Sequence, residues 1–146
     1  MTTTLELADK LAIHELLSRA AYALDERDLE MLATSFALDA RFSMRIAGGD
    51  LVGPFHSREG IMDLMTGAMA QQTDKRRHVV SNIFFPDEPH ADSEGEGIPV
   101  ISNLTLFATE GGAIALLSAG VYHDCVVQRE GRWELVSRHL ELDKSY

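Results

Sequence analysis

The sequence has a single cysteine, Cys125, and therefore no means of closing an intrachain disulfide. Set in an apolar run, that thiol reads as a buried core group rather than a nucleophile. Basic residues are scarce, 13 against 23 acidic, for a formal charge of −10. So acidic a chain has no basic face from which to displace phosphate counterions, which argues against nucleic acid and anionic membrane surfaces as partners. No apolar run approaches the roughly 18 residues needed to span a bilayer. Met1-Thr2-Thr3-Thr4 lacks the basic-then-apolar order of a secretion signal, so the expected location is the cytoplasm. There is no Gly-x-Gly-x-x-Gly or phosphate loop, which argues against a nucleotide cofactor. His14, His56, His90, His123 and His139 show no paired ligand spacing of the His-Glu-x-x-His kind. With one cysteine besides, neither a metal nor any other cofactor is expected.

What is present fits one domain spanning residues 1–146, with 45% hydrophobic residues and enough length to bury a core unaided. Ile13, Leu16, Leu17, Ala20 and Leu24 recur at three- and four-residue steps, predicting a helix from about 7 to 25. Asp28 then caps a short second helix carrying Leu29, Leu32, Ala33 and Phe36, the two forming a hairpin. Phe42, Met44 and Ile46 alternate with Arg41, Ser43 and Arg45 before a turn at Gly48-Gly49; Leu51-Val52 return, and Gly53-Pro54 ends that strand. Ser57 caps a third helix through Ile61, Leu64, Met65, Ala68 and Gln72. Arg77 to Phe85 reads as a strand stopped by Pro86, followed by an acidic loop over 87–97. Three further strands, about 98–109, 113–128 and 132–142, turn at Gly111-Gly112 and Glu130-Gly131. The order predicts an α+β domain: helices on one face of a curved antiparallel sheet, with a pocket between the layers. Alternating apolar residues on the strands at 98–109 and 113–128 offer surface for a homodimer or homotrimer.

Two residues stand out chemically. Asp25 closes the first helix, where an acid faces the negative end of the macrodipole at a cost of about 0.3–1 kcal/mol. His78 follows Arg77 at the start of an otherwise apolar strand. Brought together, a carboxylate holds an imidazole in one tautomer and makes a general base of it. Tyr22, Tyr122 and Asn103 are candidate donors to a substrate oxygen, each against a packing or sheet-end role. Arg138 either binds a substrate oxygen or pairs with an acid such as Glu141, the ion pair being favoured. Met31, Met44, Met62, Met65 and Met69 lie in apolar patterns as core filler, some suited to lining a cavity for a hydrophobic ring.

Four fragments in order carry a family resemblance. They are Leu24-Asp25-Glu26-Arg27-Asp28 with Leu32 and Phe36-Ala37-Leu38-Asp39-Ala40; Arg77-His78-Val79-Val80-Ser81-Asn82; Gly120-Val121-Tyr122-His123-Asp124; and Gly131-Arg132-Trp133-Glu134-Leu135-Val136-Ser137-Arg138. Over nearly the whole chain the sequence resembles SnoaL-like members of the nuclear-transport-factor-2-like superfamily, cone-shaped domains whose curved sheet and helices enclose an apolar cavity. The resemblance implies that Asp25 and His78 match the Asp–His dyad of scytalone dehydratase, hexachlorocyclohexane dehydrochlorinase and bile acid dehydratase. Many relatives carry a tyrosine five residues before the acid, where this chain has Ala20; Tyr22 lies three before it. Val100-Ile101-Ser102-Asn103-Leu104 and the stretch from Trp133 to Asp143 resemble the small β subunits of aromatic-ring-hydroxylating dioxygenases, which support a separate catalytic subunit. The implied activity is a cofactor-independent, dehydratase-type lyase acting on a small apolar cyclic molecule. Isomerase or polyketide-cyclase chemistry on the same base, and a non-catalytic β-type subunit or binding module, are the alternatives.

Overall fold

The computed structural model describes residues 5–146, so the Met1–Thr4 stretch read against a secretion signal lies outside the described residues. In chain order the elements are α1 (Leu7–Glu26), α2 (Leu29–Ser35), β1 (Phe36–Ile46), β2 (Val52–His56), α3 (Ser57–Ala70), β3 (Lys75–Phe84), β4 (Ile98–Glu110), β5 (Ala113–Arg129) and β6 (Arg132–Leu142), with one 3-10 turn at Ala91–Ser93. The cap expected of α2 acts as predicted, whereas the N-cap of α3 is His56 and Ser57 is its first helical residue. Asp28 Oδ1 accepts the Met31 amide at 3.1 Å, and Ser57 Oγ accepts the Gly60 amide at 3.1 Å. No helix among the described residues is long and apolar enough to cross a membrane.

Six strands form one curved, unclosed sheet in the order β2-β1-β6-β5-β4-β3. Adjacent pairs are antiparallel except β1 with β6, which run parallel with Phe42 opposite Arg138 and Met44 opposite Leu140. The sheet is thus mixed rather than wholly antiparallel. Strands joined by a tight turn must run antiparallel, whereas β1 and β6 are separated by most of the chain and no such turn constrains them. The β1 strand also starts five residues before the expected alternation, at Phe36, which belongs to the strand and not to α2. Likewise β2 continues through Gly53-Pro54 to His56.

The helices pack on one sheet face. Ile13, Leu17 and Ala20 of α1, Leu32 of α2 and Ile61 of α3 join Phe36, Phe42, Val100, Val126 and Leu135 of the sheet in one buried cluster. Arg58 holds the start of α3 in place by donating Nε and Nη2 to the Phe36 carbonyl, at 2.9 and 2.7 Å, and pairing with Glu134 at 3.2 Å. The clamp joins α3 to the start of β1, and residues of both elements line the cavity.

Candidate active site

Asp25 and His78 meet. The α1 helix ends when Arg27 adopts a left-handed conformation, and Arg27 Nη2 then donates to the Asp74 carbonyl at 3.1 Å. One residue earlier Glu26 pairs with Arg77 at 3.2 Å, so the helix end just after the acid is tied twice to the start of β3. Next to these ties the Asp25 carboxylate accepts the His78 amide, at 2.9 and 3.1 Å to its two oxygens, and stands 2.6 Å from His78 Nδ1. Charge-assisted bonds of this kind offset the unfavourable macrodipole position. An ionised carboxylate only accepts, so Nδ1 carries the hydrogen and the Nε2 lone pair is left for chemistry.

Period-two alternation directs Arg76, His78 and Val80 inward while Arg77 and Val79 are exposed. His78 therefore lines a cavity of about 190 Å³ between the helices and the sheet. Its wall is mainly apolar, with Phe36, Phe42 and Phe55 beside Met44, Met65 and Met69. Val52 and Tyr146, 41% and 56% exposed, line the cavity as well and mark its mouth. Arg76, whose guanidinium lies 5.1 Å from the Tyr146 ring, also belongs to the wall, and sequence reasoning did not single out either residue.

Of the four expected substrate contacts, Tyr122 and Arg138 line this cavity and Tyr22 and Asn103 do not. Tyr22 is 57% exposed, on the solvent side of an α1 whose inward positions are Ile13, Leu17, Ala20 and Leu24. Asn103 sits between buried Ser102 and Leu104 on β4, so the pleat turns it outward. Ala20 itself is fully buried in the core.

Arg138 pairs with Asp124, not with Glu141. Its Nε and Nη2 donate to the two Asp124 oxygens at 2.8 and 3.0 Å, with both side chains buried. The guanidinium also lies 3.8 Å from the Tyr122 ring centroid. Glu141 is on the opposite sheet face, 2.6 Å from His139 Nε2. Burial alone would lower the Arg138 pKa, but Asp124 outweighs it and holds the group above its ordinary value. Nη1 of Arg138 and Oη of Tyr122 have no hydrogen-bond partner among the described residues, nor are they buried unpartnered atoms. On residues that line the cavity, both are donors open to it. Burial pushes the Tyr122 phenol up to about 12 against the opposing pull of Arg138, with Asp124, Tyr146 and Asp25 adding to the rise. At neutral pH it is a donor and not a base.

Residues 5–139 match the family described as SnoaL-like domain. No curated protein matches the chain. Among solved structures, the chain is similar to one described as the beta subunit of an aromatic-ring-hydroxylating dioxygenase from Novosphingobium aromaticivorans, with 20% identity, 97% of this chain and 94% of that one covered and a TM-score of 0.76. It is similar to ActVI-ORFA from Streptomyces coelicolor at 19% identity, with 95% and 98% covered and a TM-score of 0.74. A protein of unknown function with a cystatin-like fold from Nostoc punctiforme gives 21%, 97% and 96%, and 0.71. At these identities the structural likeness is one of fold, and the family match over nearly the whole length says which: the chain belongs to the SnoaL-like domain family.

Proposed function

We propose that this protein is a cofactor-independent lyase that eliminates water from a small, mostly apolar cyclic carbonyl compound, with His78 as the base. The observation that carries the reading is the 2.6 Å contact of Asp25 with His78 Nδ1 at the wall of an apolar cavity. In the reaction, His78 Nε2 takes a proton from the carbon next to the carbonyl, and the electron pair of that bond moves to the carbonyl oxygen as an enolate. Asp25 keeps Nδ1–H and stabilises the imidazolium, the orienting role of the acid in hydrolytic triads. Arg138 Nη1 and Tyr122 Oη are the donors suited to the enolate oxygen, in a cavity whose wall is mainly apolar. The enolate then collapses, expelling hydroxide from the next carbon, and the Nε2 proton passes to it. Products are a conjugated carbonyl compound and water, and His78 returns neutral. General base catalysis of this kind supplies about 10²–10⁴ in rate.

A panel of cyclic β-hydroxy ketones, followed by the absorbance of the conjugated product, tests the reading. Asp25→Asn and His78→Ala should each lower turnover by at least about 10²-fold with an unchanged circular dichroism spectrum. Turnover that persists in both variants would sink it. Isomerisation or ring closure would use the same base without loss of water, and product analysis on the same panel separates them. The likeness to a dioxygenase beta subunit supports a second reading, a non-catalytic support subunit or small-molecule binding module. That reading requires stable co-purification with a larger iron–sulfur subunit, whereas purification as a free homodimer or homotrimer counts against it.

A further inference from the structure

The outward face of β1, β5 and β6 carries a group of imidazoles and carboxylates that the elimination chemistry does not use. His139 at its centre is fully buried. Its Nδ1 lies 2.7 Å from Ser43 Oγ, and its Nε2 lies 2.6 Å from Glu141 Oε2 and 3.7 Å from Asp92 Oδ2. The loop between β3 and β4 folds over this face. Ser93 Oγ meets Ser137 Oγ at 2.9 Å, Cys125 Sγ donates to the Ser93 carbonyl at 3.1 Å, and Arg45 Nε donates to Asp92 at 3.2 Å. These ties set the His90 ring nearly parallel to His139, 4.9 Å between centroids, and 4.4 Å from the His123 ring.

We propose that His90, His139 and Glu141 bind a divalent transition-metal ion of zinc's class, which staples the loop at 86–97 to β6. Their ligating atoms all lie within 4.8 Å of one another. Two imidazoles and a carboxylate form a borderline donor set suited to Zn²⁺ and unlike the all-oxygen sets of Ca²⁺ or Mg²⁺. Bonds of about 2.0–2.2 Å in a tetrahedral complex set ligand atoms roughly 3.4 Å apart. The His139–Glu141 contact therefore opens slightly, and the His90 ring, stacked on His139 with its lone pairs in a nearly parallel plane, both moves in by about 1 Å and turns so that its nitrogen meets the same ion.

Hydrogens balance without an added base. The Glu141 carboxylate 2.6 Å away only accepts, so the hydrogen of that contact is on His139 Nε2. Metal entry moves it to Nδ1, where Ser43 Oγ accepts it, the outer partner a ligating imidazole needs. On His90 the Nδ1 atom accepts the Asp92 amide at 3.0 Å, and ligation forfeits that turn bond, which points to modest affinity. Asp92 is held by Arg45 and serves as a second carboxylate near the ion rather than a ligand. A hydrogen-bonded cluster without an ion would explain the His139–Glu141 contact, yet it gives the His90 ring no bond to either. The neighbours of the ligands on β6, Arg138 and Leu140, line the cavity on the other face, so the site stands apart from the proposed lyase chemistry.

Chelator-treated full-length protein titrated with Zn²⁺ alone, in competition with a chromophoric chelator, should take up one ion per chain. His90→Asn and Glu141→Gln should each weaken uptake by roughly tenfold or more, and His56→Asn, at an exposed histidine on another strand, should leave it unchanged. Saturating Zn²⁺ should also slow proteolysis within 86–97 and raise the Tm by about 3 °C or more in the parent and not in His90→Asn. No stoichiometric uptake at tens of micromolar Zn²⁺, or uptake equally strong in both ligand variants, would overturn the proposal.

Discussion

Removing one member of a buried ion pair strands the other, and Asp124 with Arg138 is the residue-scale case here. Both side chains are out of water, and each is satisfied mainly by the other. Asp124→Ala should therefore destabilise the fold by about 3–5 kcal/mol. The double variant Asp124→Leu, Arg138→Met removes both charges and should recover a large part of that loss, because the desolvation cost disappears with them. Urea midpoints of the two proteins read the difference. The same double variant should still lose turnover under the proposed chemistry, since Nη1 of Arg138 no longer reaches the cavity. Stability and activity would thus part company, which distinguishes a donor to substrate from a packing group. At the dyad, His78→Ala leaves the largely buried Asp25 carboxylate with only the residue-78 amide as a partner, so its urea midpoint is read beside its turnover.

At the scale of elements, β5 and β6 meet so closely at Gly120 that a Cβ there would stand 2.5 Å from the Glu141 carbonyl. Gly120→Ala should cost about 1–3 kcal/mol through forced separation of the strands, visible as a lower urea midpoint with an unaltered slope. Local periodicity made most of these elements readable: α1 and β4 to β6 fall within a residue or two of their predicted bounds. Asp25 and His78 were readable for the same reason, one a helix end and the other a strand start. Irregular pairing hid the rest. Between Phe36 and Arg41 the β1 register slips against β6, and Leu38 and Asp39 are both exposed, so no alternation marks the first half of that strand. In the β5–β6 hairpin, Arg129 faces Arg132, and an unbroken register would set Arg138 opposite His123. A bulge between Cys125 and Val126 shifts the partner to Asp124. No one-residue pattern reveals such a slip, and it decides which acid neutralises the cavity arginine. The cluster around His139 was invisible for a different reason: His90 arrives on a loop whose path depends on contacts with the finished sheet.

For the whole molecule, raising the pH adds negative charge to a chain already at −10, and the fold must hold against that repulsion. Tyr122 adds a specific alkaline weakness. Its folded pKa is pushed up to about 12 from an ordinary 10.0, first by burial. The unfolded chain thus gives up this proton more readily than the folded one. Stability held by neutral Tyr122 is complete below about pH 10 and is lost progressively as pH rises through the folded value. Fully developed, the loss is on the order of 2–3 kcal/mol. Tyr122→Phe keeps the ring under Arg138 and has no proton to lose, so its urea midpoint should fall less than that of the parent between about pH 9 and pH 11.5. Equal falls in the two proteins would show that general repulsion alone governs the alkaline limit. At neutral pH the same variant isolates the hydroxyl: it should lower turnover while leaving Arg138 and Asp124 paired, because Tyr122 Oη serves the cavity and not that ion pair.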